Sequence, residues 1–494
     1  MPVDPPIRDS RPLAVQGGIV RSRRRVIVVA LFIVHAFGFV SSLDALMSTR
    51  TAPGTVAWMV SLNTIPYVAV PAYWVFGRSK FQGYVSGRRE NESQLYRELD
   101  DNMSLVHPYR VMLAPGERHV QAIERLAKMP MVGANRVELL IDGEATFRSI
   151  FDGIAAARDY VLVQFYIVRD DTLGRELQRR LMAKAREGVA VHFLYDEIGS
   201  YRLPAHFLDQ LREAGVQVRP FHSTRGSGNR FQLNFRNHRK VVIVDGRAGW
   251  VGGFNVGDEY LGRDARPGAW RDTHLKMEGP ATLCLQLSFV EDWHWATGEI
   301  LPLDWQPAPA DEDVPVLVLP SGPADRFETA SLMVQHAIGS ARHRLWVSSP
   351  YFVPDEGVLA AFKLAALRGV DVRILIPERP DDVLTYYAAY AFVGPLIEAG
   401  ARVYRYEDGF LHAKTILVDD VAAAVGTVNF DNRSFRLNFE ITAWVMERSF
   451  AAKVEAMFES DFERSRTMST TEVAEKPWWF RAVSRAAYLT APVL

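Results

Sequence analysis

His238 and His412 each open the pattern H-x-K-x4-D, in NHRKVVIVDGRAGWVGGFN over 237–255 and LHAKTILVDDVAAAVGTVN over 411–429. One offset, 412 − 238 = 174, carries His238 to His412, Lys240 to Lys414, Asp245 to Asp419, Gly252 to Gly426 and Asn255 to Asn429. The chain has 12 histidines, nine lysines and 30 aspartates in 494 residues. Chance supplies such a pattern roughly 0.01 times in a chain of that composition. Two in register mean an internal duplication, and the duplication sets the architecture before any single element is read.

Other stretches repeat with it. YVLVQFYIVRDD (160–171) answers RLWVSSPYFVPDE (344–356), each a strand-like run ending in an acidic turn. Helix-period segments follow, Leu173 to Gly188 and Glu356 to Gly369, each closed by a glycine. VAVHFLYDE (189–197) and VDVRILIPE (370–378) have the apolar runs of buried strands, and AGVQVRPFH (214–222) answers AGARVYRYE (399–407). The alternation predicts two α/β copies, each with a largely buried sheet, packed about a pseudo-twofold axis with a shared site at their interface. Pro302 to Asp313, rich in proline and acid, reads as the linker. The expected units are 131–310 and 311–494, after a linker over 81–130.

The motif spacing has a chemical sense. A histidine and a lysine two apart on a strand face the same way and reach one ligand. VVIV and TILV are the buried strands that fix them. The aspartate then falls beyond the strand's end, placed for a salt bridge or a turn hydrogen bond. Gly252, Gly426, Asn255 and Asn429 suit a close approach with amide donors aimed at an anion. Two such half-sites make a cationic, donor-rich pocket for a phosphoryl group, with no carboxylate cluster to hold Mg²⁺.

The N-terminal end is different in character. Val26 to Leu43 is 18 residues without a formal charge, roughly 27 Å as a helix, enough to cross a hydrocarbon core. A second run, Val56 to Phe76, contains Pro66 and Pro71 and is the weaker candidate. Arg21, Arg23, Arg24 and Arg25 precede the first run, only Arg50 stands between, and Arg78, Lys80, Arg88 and Arg89 follow. The positive-inside bias puts both ends of this hairpin, residues 1–80, on the cytoplasmic side. A cleaved signal peptide is the alternative. Fifty-seven basic against 58 acidic side chains, a net charge of −1, argue against a nucleic-acid binder. A single cysteine, Cys284, excludes a disulfide framework.

The paired motifs resemble the HKD signature of the phospholipase D superfamily, and the order of elements looks like that of bacterial cardiolipin synthases of the two-membrane-helix type. RNHRKVVIVDG, WRDTHLKMEGP (270–280), SSPYFVPDE (348–356), LHAKTILVDD and NFDNRSFRLNFE (429–440) carry the likeness. It implies two tandem phospholipase D-like domains, each a mixed sheet flanked by helices, behind a transmembrane hairpin. It also implies that a phosphatidyl group passes from one phosphatidylglycerol to another, giving cardiolipin and glycerol, in a bacterial inner membrane with the catalytic domains facing the cytoplasm. Exchange of one phosphodiester for another needs no metal, ATP or other cofactor. The implied catalytic set is His238, Lys240, Asp245, His412, Lys414 and Asp419, with His238 as nucleophile through a phosphohistidine and His412 as general acid and base. The two histidines then need opposite charge states. Asp272, 34 residues after His238, and Glu440, 28 after His412, stand where the family places the carboxylate that orients each histidine. The residue after the motif glycine is Gly253 in one copy and Thr427 in the other, a difference expected to matter little.

A hydrolase of the same superfamily shares every one of these residues, and a nuclease would be expected to lack the hairpin and carry a basic face. Arg433 and Ser434 are either phosphate contacts or packing. His192, His222 and His274 lack metal-ligand spacing and read as structural. PWWFRAVSRAAYLTAPVL (477–494) is either an interfacial helix on anionic lipid or a set of aromatics closing the second core.

Overall fold

The computed structural model describes residues 14–48, 51–77, 101–112, 118–221, 234–263 and 268–494. They fall into two compact units, Met1–Ser79 and Lys80–Leu494. The charged stretch over 78–100, Arg50 and His222 lie outside the described residues.

In the first unit α1 (Ala14–Ser48) contains 24 residues, Arg25–Ser48, long and apolar enough to cross a membrane. The second expected span is not one helix. It divides into α2 (Ala52–Thr64) and α3 (Pro66–Ala72) at Ile65, which takes φ −132° and ψ 55°. The cause is Pro66, which has no N–H to donate and pushes the preceding residue out of the helical region. Among the described residues one helix, not two, therefore meets the length of a membrane span. The pieces still fold back on α1. The bare backbone of Gly38 lets them in, since a Cβ there would lie 2.3 Å from the Leu62 carbonyl oxygen. The Tyr73 hydroxyl donates to Asp44 at 2.7 Å.

The second unit is built on one mixed sheet of 16 strands. Its first copy supplies β1 (Val132–Ile141), β2 (Tyr160–Phe165), β3 (Ala190–Asp196), β4 (Gln217–Phe221), β5 (Val241–Val244), β6 (Ala248–Gly252) and β7 (Thr273–Glu278). Its second copy supplies β8 (Val314–Ser321), β9 (Arg344–Ser348), β10 (Asp371–Pro377), β11 (Arg402–Tyr406), β12 (Thr415–Val418), β13 (Ala422–Gly426) and β14 (Asn438–Val445). Apart from the edge strand Ser465–Thr467 beside β11 and the short Arg236–Asn237 strand on β14, the spatial order β11-β10-β9-β12-β13-β14-β8-β1-β7-β6-β5-β2-β3-β4 reads the same from either side of the β8–β1 seam. That is the expected pseudo-twofold, realised as a continuous sheet. β2–β3–β4 and β9–β10–β11 are parallel, and the motif strands pair antiparallel beside them. At the seam the buried Asn135 side chain donates to the carbonyls of Val132 and Val314, tying the copies across a bulge.

Helices α4 (Thr172–Arg186), α5 (Ala281–Thr297), α6 (Glu356–Leu367), α7 (Val383–Glu398), α8 (Arg448–Glu463) and α9 (Trp478–Tyr488) are among those that cover the sheet. Asp171 and Asp355, at the acidic turns, cap α4 and α6 by accepting from Gly174 N and Val358 N. Gly188 and Gly369, at φ +90° and +85°, end them as the glycine signal predicts. Residues 302–310 carry no helix or strand. His192 on β3 is structural: its ring meets Trp293 of α5 edge-on at 5.0 Å, and burial lowers its pKa to about 4.

The motif aspartates sit at the far ends of their strands. Asp245 and Asp419 hold φ +52° and +51°, a left-handed conformation that aspartate tolerates better than most side chains. Asp245 accepts from the backbone amides of Arg158, Asp159 and Tyr160, and Asp419 from those of Arg342, His343 and Arg344. Seven residues at about 3.3 Å each put Asp245 roughly 20 Å from His238. Each motif aspartate is thus engaged by backbone amides beyond its strand's end, the turn hydrogen bonding that its spacing predicts. Asp245→Ala removes three charge-assisted bonds and leaves alanine at positive φ, so stability is expected to fall by about 2–4 kcal/mol. A lowered denaturation midpoint with unchanged turnover per folded molecule is the outcome that checks this.

Candidate active site between the two copies

Each motif histidine is placed by a short parallel bridge to the other copy. Arg236–Asn237 pairs with Asn438–Phe439, and Phe410–Leu411 pairs with Trp270–Arg271. The bridges continue one bond further, His238 N to Phe439 O at 2.9 Å and His412 N to Arg271 O at 2.8 Å. The next residues along the partner strands are Glu440 and Asp272. His238 Nδ1 lies 2.8 Å from Glu440 Oε2, and His412 Nδ1 lies 2.6 Å from Asp272 Oδ2. Counting along the sequence paired each histidine with the carboxylate of its own copy; the structure crosses them. Both carboxylates are fully buried, so each must be matched by a donor, and the ring N–H is that donor. With Nδ1 holding the proton, Nε2 of each ring keeps its lone pair.

The lysines and asparagines divide in use. Lys240 Nζ donates to His238 O at 2.7 Å, and Lys414 Nζ donates likewise to His412 O. Burial lowers the Lys240 pKa well below the ordinary value and brings Lys414 down to about 8. Asn255 is spoken for: its oxygen accepts from Ile167 N and its amide donates to the Tyr260 hydroxyl. Asn429 is buried, and its side-chain oxygen has no partner among the described residues. Amide oxygen and nitrogen exchange by a flip, so Asn429 is able to present a donor to a ligand. The Gly426 amide is turned to its neighbouring strand end and not to the pocket. Gly426 N donates to Lys414 O. A Cβ on Gly252 or Gly426 would stand 2.5 Å from the His274 ring or the Thr442 hydroxyl. Close strand packing requires glycine at both positions.

The residue after each glycine matters more than expected. Thr427 donates its hydroxyl to Glu440 Oε2 at 2.5 Å, and Asn438 donates to Glu440 Oε1 at 3.1 Å. At Gly253 a Cβ would fall 2.1 Å from Asp272 Oδ1, so only glycine admits that carboxylate. Asp272 is held by Thr273 N instead. The electrostatics divide accordingly. Burial raises the Asp272 pKa, with Lys414 pulling the other way. Burial also acts to raise Glu440, but His238, Lys240 and Thr427 together hold it below the ordinary value.

Both histidines are driven towards the neutral form. Burial lowers His238 to about 4 against the pull of Glu440, and burial with Lys414, Lys240 and His238 lowers His412 well below 6.5. The two lysines beside the rings add to burial in opposing a charged imidazole on either histidine. An anionic ligand is what reverses that balance for one ring.

The family model for the cardiolipin synthase, phospholipase D-like domain matches residues 150–265 and 334–462, both motifs included. Cardiolipin synthase A of Pseudomonas putida (strain GB-1) is 47% identical over 94% of this chain and 98% of its own length. The protein of the same name from Pseudomonas aeruginosa (strain LESB58) is 46% identical over 93% and 95%. The chain belongs to the cardiolipin synthase family. In fold, this cardiolipin synthase family member is also similar to the crystal structure of phosphatidylserine synthase from Haemophilus influenzae Rd KW20. The TM-score is 0.59 with 15% identity, over 76% of this chain and all of that one.

Several pocket residues of this family member were not singled out from sequence. Tyr166 meets His238 edge-on at 5.0 Å, Trp270 meets His412 at 4.9 Å, and Tyr260 joins Asn255. Tyr351, one position past the register counterpart of Tyr166, donates to Asp381 at 2.6 Å. A tyrosine five residues before Asp171 and four before Asp355 was the available signal. Arg433 is tied to Asn234 of the first copy, and Ser434 N donates to the capping Asp431. His274 is buried against Phe254 and held neutral, its pKa lowered to about 3 by burial, in keeping with a structural role.

Proposed function

We propose that the protein is a cardiolipin synthase that moves a phosphatidyl group between two phosphatidylglycerol molecules. The observation that carries the reading is the crossed pair: two histidines in one buried pocket, each with a carboxylate on Nδ1, a free Nε2 and a lysine two residues on. His238 Nε2 attacks phosphorus, the phosphorus–oxygen bond to the departing glycerol breaks, and His412 gives that oxygen its proton. The terminal hydroxyl of a second phosphatidylglycerol then loses its proton to His412 and attacks, and the phosphorus–nitrogen bond breaks. Glu440, held ionised, supports the positive ring that forms on His238, which favours His238 over His412 as nucleophile. Lys240, Lys414 and Asn429 face the charge of the five-coordinate transition state.

The two copies act as one catalytic unit, 131–310 with 311–494. The apolar helix and the relatives mark a membrane protein. The basic residues about it support a multi-pass anchor in a bacterial inner membrane with the catalytic unit on the cytoplasmic side. An acceptor hydroxyl delivered from the same bilayer competes with water by proximity. The test is the full chain reconstituted in phosphatidylglycerol vesicles with EDTA, with lipid products and glycerol quantified together. Equal amounts of cardiolipin and glycerol support the transferase. Phosphatidate and glycerol without cardiolipin would make water the acceptor and replace this reading with a hydrolase.

A further inference from the structure

The C-terminal segment closes the second core with one face of a helix and leaves its other face exposed. α9 buries Phe480, Ser484 and Ala487. Phe480 packs on Tyr387 and Tyr390 of α7 at 5.0 and 4.8 Å, and Tyr488 reaches Phe392 at 5.4 Å. The other side is bare. Trp478 is 75% exposed and Leu489, just past the helix end, 78%, with Trp479, Val483, Arg481 and Arg485 exposed around them. At helical spacing these form two stripes, Trp479–Val483–Ala486 and Arg481–Arg485, with Trp478, Ala482 and Leu489 between them. Residues 477–494 contain no acid, and neither arginine has an ion-pair partner among the described residues.

We infer that α9 is a second membrane contact, laying its tryptophan face and its two arginines on the headgroup layer of an anionic bilayer. Exposed tryptophan beside arginine, on a segment that itself carries no acid, fits an interfacial helix on anionic lipid. Continuity with the candidate active site supports it. α7, on which α9 rests, begins beside Asp381, the acceptor of the Tyr351 hydroxyl, and exposes Val383 and Leu384 in its first turn. The contact would set the pocket's distance from the lipid it draws on, independently of the N-terminal helix. Its purpose rests on the proposed lipid substrate; its test does not.

Cys284 is fully buried, so a single introduced cysteine takes a label cleanly. Trp478→Cys and Leu489→Cys, and Asp209→Cys on the exposed side of the first copy's helix Ala205–Glu213 as control, carry an environment-sensitive fluorophore in the full chain. Each is reconstituted in phosphatidylcholine vesicles with or without phosphatidylserine. Labels at 478 and 489 are expected to be quenched several-fold more by nitroxide lipids than the control, more so with phosphatidylserine, and to lose that excess on R481E/R485E. Quenching of both labels by aqueous iodide to the control's extent would overturn the inference. Shielding from both quenchers that grows with protein density would also overturn it, because a second copy would then be the cover. Neither reading requires turnover, so loss of synthase activity decides a different question.

Discussion

His238→Ala is expected to lower cardiolipin formation by at least about 10⁴-fold and to abolish covalent labelling, because the nucleophile itself is gone. His412→Ala should be as damaging with phosphatidylglycerol but not with an activated donor. A phosphatidyl nitrophenyl ester expels a leaving group that needs no proton. His412→Ala should therefore still release nitrophenolate once and retain the phosphatidyl group on residue 238, as an acid-labile, base-stable adduct. With native enzyme and this donor, the release step should be flat from neutral pH to about 5. His238 is held down to about 4, and the protonated, unreactive ring appears only as pH falls towards that value. Mass spectrometry of the trapped chain decides the assignment; an adduct on residue 412 would exchange the two roles.

Crossing of the carboxylates gives the second large effect. Glu440→Gln should cost about 10³–10⁴-fold, the scale on which a carboxylate that fixes a histidine tautomer contributes. Its defect should fall on formation of the covalent adduct even with the activated ester, because Glu440 serves His238. Asp272→Asn should leave that step nearly intact and slow only the reaction of the natural donor and the second transfer, because Asp272 serves His412. Pairing within each copy predicts the reverse assignment, so burst amplitudes of the two variants separate the alternatives directly. Thr427→Val should resemble a mild Glu440→Gln, since it removes one donor from the same carboxylate.

Much of this was legible because the duplication repeats both pattern and chemistry. The constant offset of 174 located the histidines and lysines, and the apolar runs located the strands that hold them. The partnership of each histidine was not legible. Asp272 and Glu440 stand 440 − 272 = 168 apart, out of step with the motif, and a bridge between copies leaves no mark in a one-dimensional count. The Gly253–Thr427 difference looked neutral because its meaning lies in the carboxylate each position faces. The second apolar run failed as a single span for a local reason, Pro66 acting on Ile65, that hydropathy does not weigh. Charge state was beyond reach because it depends on burial and on two lysines that converge only in three dimensions.

Glu440 follows His238 by 202 residues, and the seam that aligns them lies between. On the proposed chemistry, a ribosome that has made only the first copy has made a histidine without its base. A protease that cuts between the copies, in the segment 302–310 that carries no helix or strand, leaves two fragments each lacking half of both dyads. An enzyme that opens phosphodiesters in the membrane it lives in thus carries no reactive centre while it is being synthesised, or once it is being degraded. The capacity to damage its own bilayer arises late in biosynthesis and is surrendered early in turnover.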